Sequence, residues 1–219
     1  MTDDATAPFG ELPRLVRFEH EPALRFLEHA VGEYRRCLDS RGADGTPSHL
    51  PRASGLLFGR VDDLGITVCD VEFVPNVRDS DEAVMAEFET TIAPRFGEVY
   101  RNPGRGFWSD EGAVLRAVQR QAAAGLEPMG SVHSHPDWHE IGPPHERRQR
   151  LSENPTPMDE YLFRQSCWPV NVIWYVHTAD DGGLAHRVAG WRPGPERCEA
   201  LRLRLPPDLC AEFGVQSSH

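Results

Sequence analysis

Lysine is missing from this chain: all 23 of its basic residues are arginine, against 34 aspartates and glutamates. The resulting formal charge of −11 at pH 7 argues against nucleic acid or an anionic membrane as partner, since both would be repelled. No apolar run approaches the roughly 18 residues that a membrane span requires. The start, Met1-Thr2-Asp3-Asp4-Ala5, lacks the basic and apolar regions of a secretion signal, so a cytoplasmic protein is expected. Cysteine is sparse, odd in number and without a Cys-x-x-Cys pair. Cys37, Cys69, Cys167, Cys198 and Cys210 therefore read as reduced thiols rather than as a disulfide framework. No internal repeat and no glycine-rich phosphate loop is present. The length, 219 residues, suits one domain with extensions.

What the chain does contain is a histidine pair, in Gly130-Ser131-Val132-His133-Ser134-His135-Pro136. In an extended segment, side chains at i and i+2 point to one face. His133 and His135 can therefore aim an imidazole nitrogen at a common point roughly 2 Å from each ring, which is a half-site for zinc. Such a metal needs a third protein ligand and, for chemistry, one position open to water. Thr156-Pro157-Met158-Asp159 offers a hydroxyl and a carboxylate at i and i+3, on one face of a helix's first turn.

The neighbouring stretches supply elements of regular spacing. Leu24, Leu27, Val31, Tyr34 and Leu38 recur at three- and four-residue steps and predict an amphipathic helix over 21–38. A hairpin is expected next, from Arg52 to Arg60 and from Ile66 to Val74, around a turn at 62–65. If Arg60 pairs with Ile66, Ser54 faces Glu72 and Arg52 faces Val74. Glu72 then lies diagonal to Arg52, either as its ion-pair partner or as a general base. A long acidic connection over 79–106, with a short helix expected at 82–91, precedes a helix capped at Ser109, and a short strand from Pro128 delivers the histidines. Val170 to Val176 is nearly continuous in apolar residues and reads as a central strand. His186 reads as a surface residue.

His133-Ser134-His135-Pro136 followed by Thr156-x-x-Asp159 resembles the signature of the JAMM (MPN-plus, JAB-domain) zinc metalloproteases, His-x-His-Pro with a downstream Ser-x-x-Asp. Gly55-Leu56-Leu57-Phe58-Gly59 looks like that family's glycine-bounded core strand, and 169–176 like the strand after its motif helix, so the similarity spans about 50–192. The resemblance implies an α/β fold of cytidine-deaminase-like JAMM/MPN architecture, a mixed central sheet flanked by helices. It would occupy residues 15–192, between a flexible 1–14 and a C-terminal extension at 193–219. It also implies Zn2+ held by His133, His135 and Asp159, with Thr156 stabilising the oxyanion. The implied reaction is hydrolysis of the bond after the C-terminal Gly-Gly tail of a ubiquitin-like protein. Richness in arginine and proline suggests a high-GC bacterial source, and hence a small sulfur carrier.

Two departures qualify the correspondence. The family's spacer is shorter; here Asp159 stands 24 residues after His135 (159 − 135), across an insert at about 137–153. The insert is basic at its centre, and Arg147, Arg148 and Arg150 would suit a lid closing on a carboxylate. The family's general-base glutamate corresponds to Arg52, and a guanidinium does not accept a proton from water. Either Glu72 replaces that base, or the chain is a metal-binding scaffold without turnover, or it hydrolyses a small amide. His139, four residues after His135, and the partial likeness of His-Ser-His-Pro-Asp-Trp-His to the metallo-β-lactamase motif offer a further ligand set.

Overall fold

Seven strands close on themselves in the computed structural model, which describes residues 13–142 and 155–212. In chain order they are β1 (Leu15–Phe18), β2 (Ser54–Asp62), β3 (Gly65–Glu72), β4 (Glu127–Pro136), β5 (Val170–Thr178), β6 (Leu184–Arg192) and β7 (Glu199–Arg204). Around the barrel they run β1-β3-β2-β4-β5-β6-β7. Closure comes from β1, which pairs in parallel with β3 on one side and β7 on the other, Val16 lying between Ile66 and Leu203. The expected architecture, an open mixed sheet flanked by helices, is therefore corrected to a closed mixed barrel. The reason lies in β1: a short strand expected over 201–205 forms as β7, but the four residues of β1 are too short to announce themselves, and their pairing with β7 removes both sheet edges. Helices decorate the barrel without forming layers.

The long helix α1 (His20–Asp39) forms where its apolar periodicity predicts. Its buried stripe is Ala23, Phe26, Leu27, Ala30, Tyr34 and Cys37, with Leu24 and Leu38 at the margin. That stripe packs with Leu57, Val132, Val172, Trp174 and Val176 in the largest apolar cluster. Because strand side chains alternate, the same strands bury a second face. Leu56 and Phe58 of β2 pack under Ala113 and Ala117 of α4 (Glu111–Ala123), while Ile173 and Tyr175 of β5 meet Phe163 of α6 (Pro157–Ser166). Helix α4 is capped one residue later than expected, by Asp110, whose carboxylate accepts from Ala113 N–H at 2.6 Å.

Register in the β2–β3 hairpin also differs from expectation. Val61 faces Ile66 and a bulge intervenes between Phe58 and Gly59, so Glu72 sits opposite Leu56 rather than Ser54. Gly59 is required there: a Cβ would lie 1.9 Å from the Thr67 carbonyl oxygen. The stretch 79–106 contains helix where a short one is expected, over 82–91, and more beyond it. It folds as α2 (Glu82–Glu87), a π-helical turn over Phe88–Ile92, α3 (Ala93–Phe96) and a 3-10 turn over Glu98–Arg101.

Candidate metal centre

Strand β4 lies between β2 and β5, with His133 opposite Ser54 on one side and Ile173 on the other. Val132 turns into the α1 core, so His133 and His135 emerge on the opposite face, the one covered by α6. Phe163, four residues after Asp159 and on the same side of α6, packs on Ile173 and Tyr175. That contact seats the N-terminal turn of α6 over the two histidines. Asp159 is thereby brought to them across the long insert.

Three donor separations describe the result. His133 Nε2 lies 3.0 Å from His135 Nε2 and 3.3 Å from Asp159 Oδ1, and His135 Nε2 lies 3.4 Å from Asp159 Oδ2. Donors bound tetrahedrally to zinc at about 2.0–2.1 Å stand about 3.3 Å apart, so the spacing fits that ion and its preferred nitrogen and oxygen donors. This is also the only grouping of three or more His, Cys, Asp or Glu ligand atoms among the described residues. His133 is 4 % exposed and Asp159 7 %. Burial pushes the His133 imidazole below its ordinary value, which favours the neutral, metal-binding form. Burial would raise the Asp159 carboxyl, but His135 and His133 beside it hold it well below the usual range.

Thr156 anchors the carboxylate. It is the N-cap of α6 in a full capping box: its Oγ1 accepts from Asp159 N–H at 3.1 Å, while Asp159 Oδ2 accepts from Thr156 N–H at 2.7 Å and from its hydroxyl at 2.8 Å. The Tyr100 hydroxyl donates to the same Oγ1 at 3.4 Å. With two bonds accepted and its proton given away, the Thr156 hydroxyl is saturated. It holds Asp159; the oxyanion role that the resemblance implies is not open to it in this arrangement.

A cavity of about 70 Å³ opens beside the three donors. Its walls include Phe107, 4.8 Å from the His133 ring centroid, Met158, Leu162, and Trp138 in the short helix α5 (Trp138–Ile141). Arg105 is buried and its guanidinium stacks 4.3 Å above the Trp138 ring. Tyr100, Arg105 and Phe107 come from the 79–106 lobe and its exit, which carries no motif. The lobe is tied to the barrel by Arg78, buried under Phe88 at 3.6 Å and donating to the Tyr100 carbonyl at 2.8 Å, and by Asn76, whose side-chain oxygen accepts from Trp108 N–H at 3.0 Å.

Arg52 lines this cavity and is paired with Asp79 at 2.7 Å. The expected Arg52 and Glu72 pair does not form. Glu72 lies outside the cavity lining, held by Arg120 at 3.0 Å and Gln121 at 2.9 Å. The Arg120 hydrogen bond lowers its carboxyl pKa against the effect of burial, which makes it a weaker base. His139 is exposed, beside Glu140, and does not join the donors. Contrary to expectation, His186 is buried, accepting from Trp174 Nε1 at 3.0 Å. Arg147, Arg148 and Arg150 lie outside the described residues.

No helix among the described residues is long and apolar enough to cross a membrane. No family model matches the chain, and no curated protein matches it. Among solved structures, the chain is similar to a protein from Desulfitobacterium hafniense at 17 % identity and a TM-score of 0.48, covering 87 % of this chain and 92 % of that one. It is also similar to a protein from Salinibacter ruber at 20 % identity and a TM-score of 0.36, covering 86 % and 95 %.

Proposed function

We propose that the chain is a zinc-dependent metallo(iso)peptidase of JAMM type that hydrolyses the bond after the Gly-Gly tail of a ubiquitin-like or sulfur-carrier protein. The observation that carries this reading is the set of donor separations, 3.0, 3.3 and 3.4 Å, at the floor of a buried cavity. Zinc held there would supply Lewis acidity toward a carbonyl oxygen and a water acidified toward neutrality. The chain's own residues do the rest. Thr156 orients Asp159, and Phe107, Met158 and Leu162 exclude bulk water. The Tyr100 hydroxyl, whose pKa is raised by burial, stays protonated at neutral pH; its 3.4 Å bond to Thr156 is long enough to be exchanged for one to a substrate carbonyl. A cavity of about 70 Å³ is narrow, and a tail without side chains suits it.

One observation favours a second reading, a metal-binding scaffold without turnover. Asp159 is the only carboxylate among the described residues lining the cavity, and the base position is an arginine bound to Asp79. Zinc per chain, measured for the wild type beside His135→Ala and Asp159→Ala, tests the centre itself. About one zinc, lost in both variants, is expected. Cleavage of a Gly-Gly-extended fusion by the zinc-replete wild type then supports the peptidase, and a full zinc complement with no cleavage supports the scaffold. Wild-type protein that takes up little zinc would defeat both.

A further inference from the structure

Beyond Phe107 and Leu162, which wall the metal cavity on one side, lies a second and larger cavity of about 320 Å³. This is the lower range of ligand pockets, about 300–1,000 Å³. Its other walls include Trp108, Val114 and Trp168, all half-buried, over a floor at Ser131, two residues before His133 on β4. Among the described residues no charged side chain lines it. In a chain with 26 % charged residues that is a selective environment: its occupant is apolar and uncharged. Among the described residues the barrel has no open edge, so a peptide reaching the metal is not held there as an added strand and depends on side-chain pockets.

We propose that this groove is the specificity subsite for a bulky apolar side chain on the substrate's tail. The inference rests on the peptidase reading above and names the residue type that precedes the glycine pair. The two cavities share Phe107 and Leu162 among their lining residues, so a tail leaving one passes directly to the other. With the glycines in the narrow cavity, the occupant is the residue immediately before them or the one before that.

Affinity for two peptides ending in Gly-Gly, measured by calorimetry on the metal-free full chain, tests this without relying on turnover. One peptide carries phenylalanine at both positions before the glycines, the other serine. The phenylalanine peptide is expected to bind at least about tenfold more tightly, the least that burying such a side chain contributes. Val114→Trp, which fills the groove from α4 and touches no metal donor, is expected to abolish that difference while zinc content stays at the wild-type level. Equal affinity for the two peptides, or no binding of either, overturns the proposal. So does an unchanged preference in a folded Val114→Trp protein. If that variant does not fold, the wild-type comparison still decides. Failure of the metal reading is seen separately, in the zinc content.

Discussion

Thr156 carries two tasks in one hydroxyl. It caps α6 and it fixes the rotation of Asp159, so its removal is expected to separate into two effects. Thr156→Ala should cost about 1 kcal/mol of stability through the lost cap. It should also weaken zinc binding about 10- to 100-fold through loss of the group that orients a ligand. Thr156→Ser should restore both, and denaturant titration with zinc competition would read them. If zinc affinity were unchanged in the alanine variant, Asp159 would be oriented by something else. Arg52 poses the opposite question. Arg52→Glu releases Asp79 and puts a carboxylate where the resemblance places a base. In a chain short of a base, cleavage of a Gly-Gly-extended fusion should rise. A rate unchanged or lowered would mean that the proton goes elsewhere or that Arg52 contacts the substrate.

Strand β4 has to satisfy two neighbours at once, and Gly130 is the point where the approach is tightest. A Cβ there would lie 1.6 Å from the Val170 carbonyl oxygen, a backbone atom that cannot swing aside. Gly130→Ala is expected to push β5 from β4, costing at least about 2 kcal/mol, within the range of overpacking in a tight interior. The histidines sit three and five residues along the displaced strand, so zinc affinity should fall with stability. A urea transition unshifted by the substitution would show that the two strands separate freely. The contact of Phe163 with Ile173 and Tyr175 acts at the same scale, because it packs α6 on the strand that lies beside the histidines.

Closure of the barrel is a property of the whole molecule. Because β1 is bonded on both sides, its amides should resist hydrogen exchange to a degree comparable with β5, despite its four residues. Fast exchange across 15–18 would indicate an open sheet. Stability should also depend on His186, buried 12 residues beyond Trp174, whose indole N–H requires a neutral acceptor. Burial holds that imidazole at about 4, below its ordinary 6.5, although a backbone bond with Leu209 opposes the shift. The unfolded chain therefore takes up a proton as pH falls through 6.5, and the folded chain does so only near 4. The stabilisation is whole above pH 6.5 and lost between 6.5 and 4. It is worth about 2 kcal/mol after allowance for partial solvent screening. Urea midpoints from pH 7.5 to 4.5 should fall more steeply for the wild type than for His186→Asn, and parallel slopes would remove His186 as the cause.

Local order alone pointed to the His133, His135 and Asp159 cluster and to the principal elements. Alternation along a strand puts His133 and His135 on one face wherever the strand lies, and a Thr-x-x-Asp turn draws a carboxylate to a helix start whatever it packs against. The stripe of α1 and the apolar run of β5 were legible for the same reason, since a period is written in neighbouring residues. Distant pairings decided the rest. Val16 meets Leu203 across nearly the whole chain, so four residues that look like the end of a tail close a barrel. A one-residue bulge at Gly59 moves Glu72 away from Arg52 and into the hold of Arg120. Tyr100, Arg105 and Phe107 enter the cavity only because Asn76 and Arg78 fold their lobe back onto the barrel. None of these contacts leaves a period in the sequence, because each joins residues whose spacing along the chain bears no relation to their separation in space.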